Sequence, residues 1–338
     1  MNNDRIQEIL DLMEEARLDY FLISDPQSIA YCTGYYNDPH ERMFVFMISK
    51  HGNHTLFMND LFYLDHDLDV NIVWHKDGQD AIQTIVDEMH FPGRIGIDKN
   101  WASHFLLDLM KKLPDAKYIN ASPCVDLVRM KKDLQEQVLM IESSKINDAV
   151  MEEIIPFIQE GVTEKQLAKK LDELFFKHHS TCYGAIVAFG KNAADPHHEN
   201  DDTLLRKGDC VLIDMGCVYE GYCSDMTRTF FYGGIREDEM KVYEIVKKAN
   251  EAAEAMIKPG VKLSDIDKCA RKVISDEGYG KYFTHRLGHF IGRDVHEYGD
   301  VSSVNEMEVE EGMIFSIEPG VYLEGDFGVR VEDLVMVT

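Results

Sequence analysis

The sequence predicts an α+β protein: a small α/β domain, followed by a larger domain of two similar α-α-β-β halves around one sheet. Three observations lead there. Helical and strand-like patterns alternate between Arg5 and about Ser122. Beyond that point a long helical pattern, a shorter one and a strand-rich hairpin occur twice in the same order. The glycines that end the two long helices, Gly161 and Gly260, stand 260 − 161 = 99 residues apart. The 338 residues, 45% of them apolar, suit two domains of about 150 residues each, and the expected division is 1–123 and 124–338.

In the first part, Ile6, Ile9, Leu10 and Met13 form a helical stripe, and Tyr20-Phe21-Leu22-Ile23 reads as a strand. Met43 to Ile48 and Thr55 to Met58, separated by His51-Gly52-Asn53, read as a hairpin. Short apolar runs at Ile72 to Trp74, Ile95 to Ile97 and Tyr118-Ile119 then alternate with helical stretches, which completes a small mixed sheet. Arg129-Met130-Lys131-Lys132-Asp133 leads into the first long helix, about 133 to 159. A shorter helix starts at Thr163 with Gln166 three residues on, a capping-box spacing, and buries Leu167, Leu171, Leu174 and Phe175. The second pair runs from about 236 to 257 and from near Ser264, the latter with Ile266, Ala270, Val273 and Ile274 inward.

Composition excludes several functions. Asp plus Glu total 61 against 35 for Lys plus Arg, a formal charge of −26 that repels nucleic acid and anionic membranes, so neither is an expected partner. The seven cysteines, without a CxxC pair, read as reduced thiols. The start of the chain has no basic and apolar leader pattern, and no run approaches the roughly 20 apolar residues of a membrane span. A cytoplasmic location is expected.

The hairpins carry the chemistry. Val211-Leu212-Ile213-Asp214-Met215-Gly216 returns as Ser224-Asp225-Met226-Thr227-Arg228-Thr229-Phe230, and a turn on Tyr219-Glu220 would set Asp214 opposite Asp225. Ile314-Phe315-Ser316-Ile317-Glu318-Pro319 returns as Gly328-Val329-Arg330-Val331-Glu332-Asp333, and a turn centred on Gly325 sets Glu318 opposite Glu332. Like charges facing each other in apolar hairpins call for a cation between them, or for a protonated carboxyl. Folding the halves together collects four carboxylates, enough to balance two divalent ions. His289, between Gly288 and Gly292, is the candidate imidazole ligand, and oxygen-rich sites with one imidazole suit Mn²⁺, Fe²⁺, Co²⁺ or Zn²⁺. His197 and His296 are also 296 − 197 = 99 residues apart, so the repeat relates them and suggests a symmetric pair contacting substrate.

These segments, with Gly288-His289 and Ile317-Glu318-Pro319-Gly320, resemble the pita-bread metallopeptidases, and among them the prolidases or Xaa-Pro dipeptidases. The resemblance covers nearly the whole chain, including a creatinase-like N-terminal domain and the segment Asn37-Asp38-Pro39-His40-Glu41-Arg42. It implies a pita-bread catalytic domain that hydrolyses Xaa-Pro dipeptides to free proline. It implies that Asp214 chelates one metal ion, Asp225 and Glu332 bridge two, and His289 with Glu318 completes the second. The implied metal is Mn²⁺, with Co²⁺, Zn²⁺ or Fe²⁺ as substitutes, and the implied assembly is a homodimer in which one N-terminal domain lies near the other subunit's active site. Solvent activated between two ions would attack the scissile carbonyl, with Glu318 as proton shuttle. His197 and His296 would contact the substrate carbonyl and the leaving imide, which has no N–H. Arg293 and Arg330 are candidates to bind the substrate carboxylate, bracing of the acidic ligands being the other reading of each. Asp38 and His40 are expected to reach the mouth of a site and restrict it to dipeptides.

Aminopeptidase P, which shares the metal cage and acts on longer peptides, is the nearest alternative. A metal-free interaction module and a creatinase-like enzyme are alternatives that five intact ligand positions argue against. The sequence stops at Thr338, six residues after Glu332, where the family is expected to run on for a further strand or turn.

Overall fold

The computed structural model describes residues 1–64, 66–90 and 92–338, and it divides into two compact units, Met1–Arg129 and Met130–Thr338. The sequence places that boundary at 123/124; the contacts place it after Arg129, because the helix Ser122–Met130 packs Val125 and Val128 into the first unit.

The first unit contains helices α1 (Asn3–Glu15), α2 (Pro26–Thr33), α3 (Ala81–Glu88), α4 (Ser103–Lys112) and α5 (Ser122–Met130). Its strands are β1 (Tyr20–Ile23), β2 (Val45–Ser49), β3 (Thr55–Asn59), β4 (Asn71–His75), β5 (Arg94–Ile97) and β6 (Lys117–Asn120), in the order β4-β3-β2-β1-β5-β6. The β1–β2 and β2–β3 pairs are antiparallel and the others parallel. Helices cover both faces, which is why β1 is apolar at every position. Phe21 and Ile23 pack with Ile6, Ile9 and Met13 of α1, while Tyr20 and Leu22 pack with Ile82 and Ile85 of α3 and Leu109 of α4. Asp38 and His40 lie in an exposed loop of this unit, where the Asp38 carboxylate accepts the His40 N–H at 3.0 Å and His40 takes a φ of 50°.

In the second unit, α6 (Leu134–Ile154) is followed by α7 (Glu164–Lys177), and later α8 (Glu237–Glu254) by α9 (Leu263–Asp276). Helix α6 is shorter than its apolar pattern, because Pro156 turns its end into a 3-10 segment, Ile155–Phe157. Both α6 and α7 start with capping boxes, Asp133 with Glu136 and Thr163 with Gln166. Strands β7 (Thr181–Cys182), β8 (Ile186–Phe189), β9 (Cys210–Met215), β10 (Cys217–Tyr219), β11 (Tyr222–Cys223) and β12 (Met226–Phe231) belong to the first half. Strands β13 (Gly288–His289), β14 (Asp300–Val301), β15 (Ile314–Ile317), β16 (Gly320–Leu323), β17 (Phe327–Arg330) and β18 (Asp333–Met336) belong to the second. The core of the first half joins Val150, Ile154, Leu167, Leu171 and Phe175 of the helices to Val187, Phe189, Val211 and Ile213 of the strands.

Each long hairpin is broken midway into two short ladders. In the first, Gly216 separates β9 from β10; a Cβ there would run into the Tyr183 hydroxyl and the Ser224 carbonyl. In the second, Glu318 and Pro319 separate β15 from β16, since proline has no N–H to give a ladder. Isolated bridges Thr227↔Glu332 and Phe290↔Phe315 tie the pieces together.

The first hairpin's register differs from the sequence expectation. Its turn is Glu220-Gly221, with φ of 47° and 82°, and Asp214 pairs with Thr227 rather than Asp225. A two-residue loop with both φ positive matches strand twist, and placing Gly221 inside it avoids strain at the second position. The slip is two residues, so Asp225 keeps the face that Asp214 occupies. In the second hairpin, pairs Gly320↔Arg330 and Ile317↔Asp333 place Glu318 in register with Glu332, with Gly325 at a φ of 78° in the turn, as the sequence predicts.

Replacing Asp133 with Ala removes the acceptor for the Gln135 and Glu136 N–H groups and should cost about 1 kcal/mol. Chemical denaturation would read this as a lowered midpoint at an unchanged m-value.

Candidate metal centre

The site forms where the two hairpins break. Asn147 of α6, buried, donates to the Met215 carbonyl at 3.1 Å, and Asn250 of α8, also buried, donates to the Ile317 carbonyl at 2.9 Å. Each long helix thus fixes the strand residue next to a carboxylate, Asp214 in one half and Glu318 in the other. Two further backbone bonds complete the frame: Glu318 N–H to the Leu287 carbonyl at 2.7 Å, and Glu332 N–H to the Thr227 carbonyl at 3.1 Å. Gly288 allows β13 to lie against the second hairpin, since a Cβ there would meet the Ser316 carbonyl.

Within this frame the His289 Nε2 lies 3.6 Å from an Asp225 oxygen, 3.6 Å from a Glu318 oxygen and 3.9 Å from a Glu332 oxygen. The Asp225, His289 and Glu332 donor atoms all fall within 4.8 Å of one another, and all three residues are buried. Asp214 stands beside them, and its charge raises the pKa values of Asp225, Glu318 and Glu332.

Burial is the largest influence on these groups. It pushes Asp225 and Glu332 well above the usual carboxylate range and Glu318 up to about 7, with neighbouring carboxylates adding to the rise. Burial also depresses His289 to about 3, helped by the charge of His296, so its imidazole is neutral. His289 Nδ1 faces the Phe290 carbonyl at 3.3 Å, which assigns the proton to Nδ1 and leaves the Nε2 lone pair toward the carboxylates. One oxygen of Asp225 is buried without any hydrogen-bond partner. A neutral imidazole, crowded carboxylates and an orphaned carboxylate oxygen together fit divalent cations.

Arg330 is fully enclosed. It donates from Nη2 to Asp214 at 2.7 Å, from Nη1 to the Tyr322 hydroxyl at 2.9 Å and the Pro196 carbonyl at 3.4 Å, and from Nε to the Thr227 hydroxyl at 3.1 Å. Thr227 in turn donates to Glu332 at 2.7 Å. These contacts orient two of the carboxylates. Arg293 lies over the Tyr222 ring, 5.3 Å from its centroid, and against Gly221 of the turn. His296 packs edge-on against His289 with centroids 4.2 Å apart, and the charge of His197 is felt at both His296 and His285.

Several site residues were not anticipated. Tyr183 donates its hydroxyl to the Ser224 carbonyl at 2.8 Å, beside Asp225, and Tyr322 links Arg330 to His285 Nε2, 2.8 Å from the hydroxyl. Arg286, exposed and unpaired among the described residues, depresses His289 and His296 and acts against the rise of Glu318. Its position three residues before His289 was the available signal. A second group, Glu164, His198 and Asp201, also has metal-ligand spacing, but the Glu164 oxygens already accept hydrogen bonds from Phe189 N–H, Asn192, His198 and Asp201 N–H.

The raised carboxyl pKa values have a consequence for the metal-free chain. At Asp225, Glu318 and Glu332 the folded state holds more protons than the unfolded one above pH 4.5, the ordinary Glu value, which lowers stability as pH rises; His285, His289 and His296, held neutral by burial, oppose this up to their ordinary value of 6.5, so the fall stands alone above that pH. The melting temperature of chelator-treated protein should drop from pH 6.5 to pH 8, and added Mn²⁺ should remove most of that slope. A flat profile without metal would contradict the buried carboxylate cluster.

Comparison with known proteins agrees with this geometry. The sequence matches the Metallopeptidase family M24 over residues 138–338 and the Creatinase/Prolidase N-terminal domain over residues 5–131. It is 34% identical over 343 residues to an uncharacterized peptidase of Staphylococcus aureus, covering 99% of this chain and 96% of that one. Among solved structures it is similar to a dipeptidase from Pyrococcus horikoshii (35% identity, TM-score 0.91, 98% of this chain and 94% of that one). It is also similar to a Xaa-Pro dipeptidase from Bacillus anthracis (28% identity, TM-score 0.92, 99% and 94%). No described helix is long and apolar enough to cross a membrane. The chain therefore belongs to metallopeptidase family M24, with a Creatinase/Prolidase N-terminal domain ahead of its catalytic domain.

Proposed function

We propose that the chain is a dinuclear-metal dipeptidase that hydrolyses Xaa-Pro dipeptides to release free proline. The observation that carries this reading is the set of buried Asp225 and Glu332 and half-buried Glu318 around His289 Nε2, with Asp214 alongside and one Asp225 oxygen unsatisfied. Asp214, Asp225, His289, Glu318 and Glu332 would hold two ions, with four negative charges to balance them. Mn²⁺ suits this oxygen-rich donor set, and Co²⁺, Zn²⁺ or Fe²⁺ are the substitutes. When bound, the ions supply an activated water and polarise the scissile carbonyl.

The protein's own groups do the rest. Glu318, at the edge of the cluster, takes the proton from the attacking water and returns it to the imide nitrogen. His296 and His197 donate toward the substrate carbonyl and the leaving proline. Arg330 holds Asp214 in place. Arg293 is engaged with the Tyr222 ring, so Arg286 is the better candidate for the dipeptide's terminal carboxylate. Asp38 and His40 remain candidates for limiting substrate length across a homodimer, and a cytoplasmic location belongs to the same reading. The similarity to a Xaa-Pro dipeptidase and to a dipeptidase supports the choice of dipeptides over longer peptides.

After chelation and restoration with Mn²⁺, the enzyme should release proline from an Xaa-Pro dipeptide faster than it cleaves the matching Xaa-Pro tripeptide. The reverse order would identify an aminopeptidase P. Glu318→Gln should lower kcat by about 10² to 10⁴. Arg286→Ala should raise KM for the dipeptide by about tenfold with little change in kcat, a split that a carboxylate anchor produces and a bracing group does not.

A further inference from the structure

His197 sits in a long connection between β8 and β9 that has little regular structure, yet its surroundings are specific. The Pro196 carbonyl accepts from Arg330, and the Asp195 carboxylate accepts the His197 N–H at 3.0 Å. The remainder of the connection is gathered on one side chain. Glu164, at the first turn of α7 and 0% exposed, accepts from Phe189 N–H at 2.8 Å and Asn192 Nδ2 at 3.0 Å with one oxygen. With the other it accepts from Asp201 N–H at 3.0 Å and meets His198 Nε2 at 2.6 Å. The first two donors open the segment 189–201; the last two close it, and one of them is the neighbour of His197. Asn200 adds a brace, accepting from Val187 N–H at 2.7 Å and donating to the Ala185 carbonyl at 2.7 Å.

We infer that Glu164 is a positioning residue, whose buried carboxylate clamps both ends of segment 189–201 through four hydrogen bonds and so fixes where His197 meets the substrate. Both Glu164 oxygens are already engaged by protein donors, which argues against a metal site at Glu164, His198 and Asp201 despite their spacing. A carboxylate at a helix N-terminus is favoured by the dipole there, so the clamp is compatible with α7. It couples the start of that helix to the catalytic half-site without touching substrate or metal. This inference rests on the reading of His197 as a substrate-contacting group.

Two measurements on the full chain test it. The first is hydrogen exchange of amides 189–201, in metal-free and Mn²⁺-loaded protein. Glu164→Gln and His198→Ala should each speed exchange of that segment by about tenfold while β9 and the rest of α7 stay protected. The second is a kinetic cycle with Xaa-Pro dipeptide. His198→Ala should lower kcat about tenfold with KM within about twofold, His198→Gln, which still donates to Glu164, should recover most of the loss, and His198→Ala should add less than about twofold to His197→Ala. Independent, multiplying losses in the His197→Ala background would overturn the inference, as would unchanged exchange or a third tightly bound ion that His198→Ala removes. Should Glu164→Gln fail to fold, the His198 variants decide the matter. If the wild-type enzyme cleaves no Xaa-Pro dipeptide, the functional reading fails, and the exchange data still decide whether the clamp exists.

Discussion

Everything in the second unit is arranged around an unfavourable contact: carboxylates held close together away from water. Burial and mutual repulsion raise Asp225, Glu318 and Glu332 together, so in the absence of cations the fold must take up protons there. A fold tolerates this only if the backbone that carries the carboxylates is fixed by other contacts. Those contacts are the Asn147 and Asn250 bonds to strand carbonyls, the Arg330 guanidinium spanning Asp214, Thr227 and Tyr322, and the bridge between Thr227 and Glu332. The cluster therefore owes its geometry to neutral amides and one cation rather than to the carboxylates themselves.

The internal repeat is what makes such an arrangement economical. Each half supplies one long helix, one broken hairpin and one buried asparagine reaching the carbonyl at the break. The copies are not identical in detail. The first half breaks at a glycine that lets a tyrosine hydroxyl approach, and the second at a proline that cannot continue a ladder. Different residues have reached the same mechanical result, a ladder that breaks beside a carboxylate.

Much of this was legible in the sequence. The helix pairs, the hairpins and the Gly325 turn follow from periodicity and turn chemistry, and the face shared by Asp214 and Asp225 survived a misplaced turn because the error was an even number of residues. The turn itself was missed because Glu220 adopts a positive φ that its residue type does not advertise. Arg286 and Tyr183 were missed for a different reason. Neither belongs to an alternating or repeated pattern, and their importance lies in tertiary proximity to charges brought from distant segments. Arg293, which the sequence puts beside the His289 strand, lies over the Tyr222 ring, a contact that its neighbours in sequence do not signal.

The breaks at Gly216 and Pro319 have one more implication. Donors mounted on a single continuous sheet would inherit their spacing from its ladder. Mounted on short ladders joined by isolated bridges, each carboxylate takes its place from its own hydrogen bonds instead. The donor set, rather than the pleat of a sheet, would then bias which first-row ion such a centre prefers.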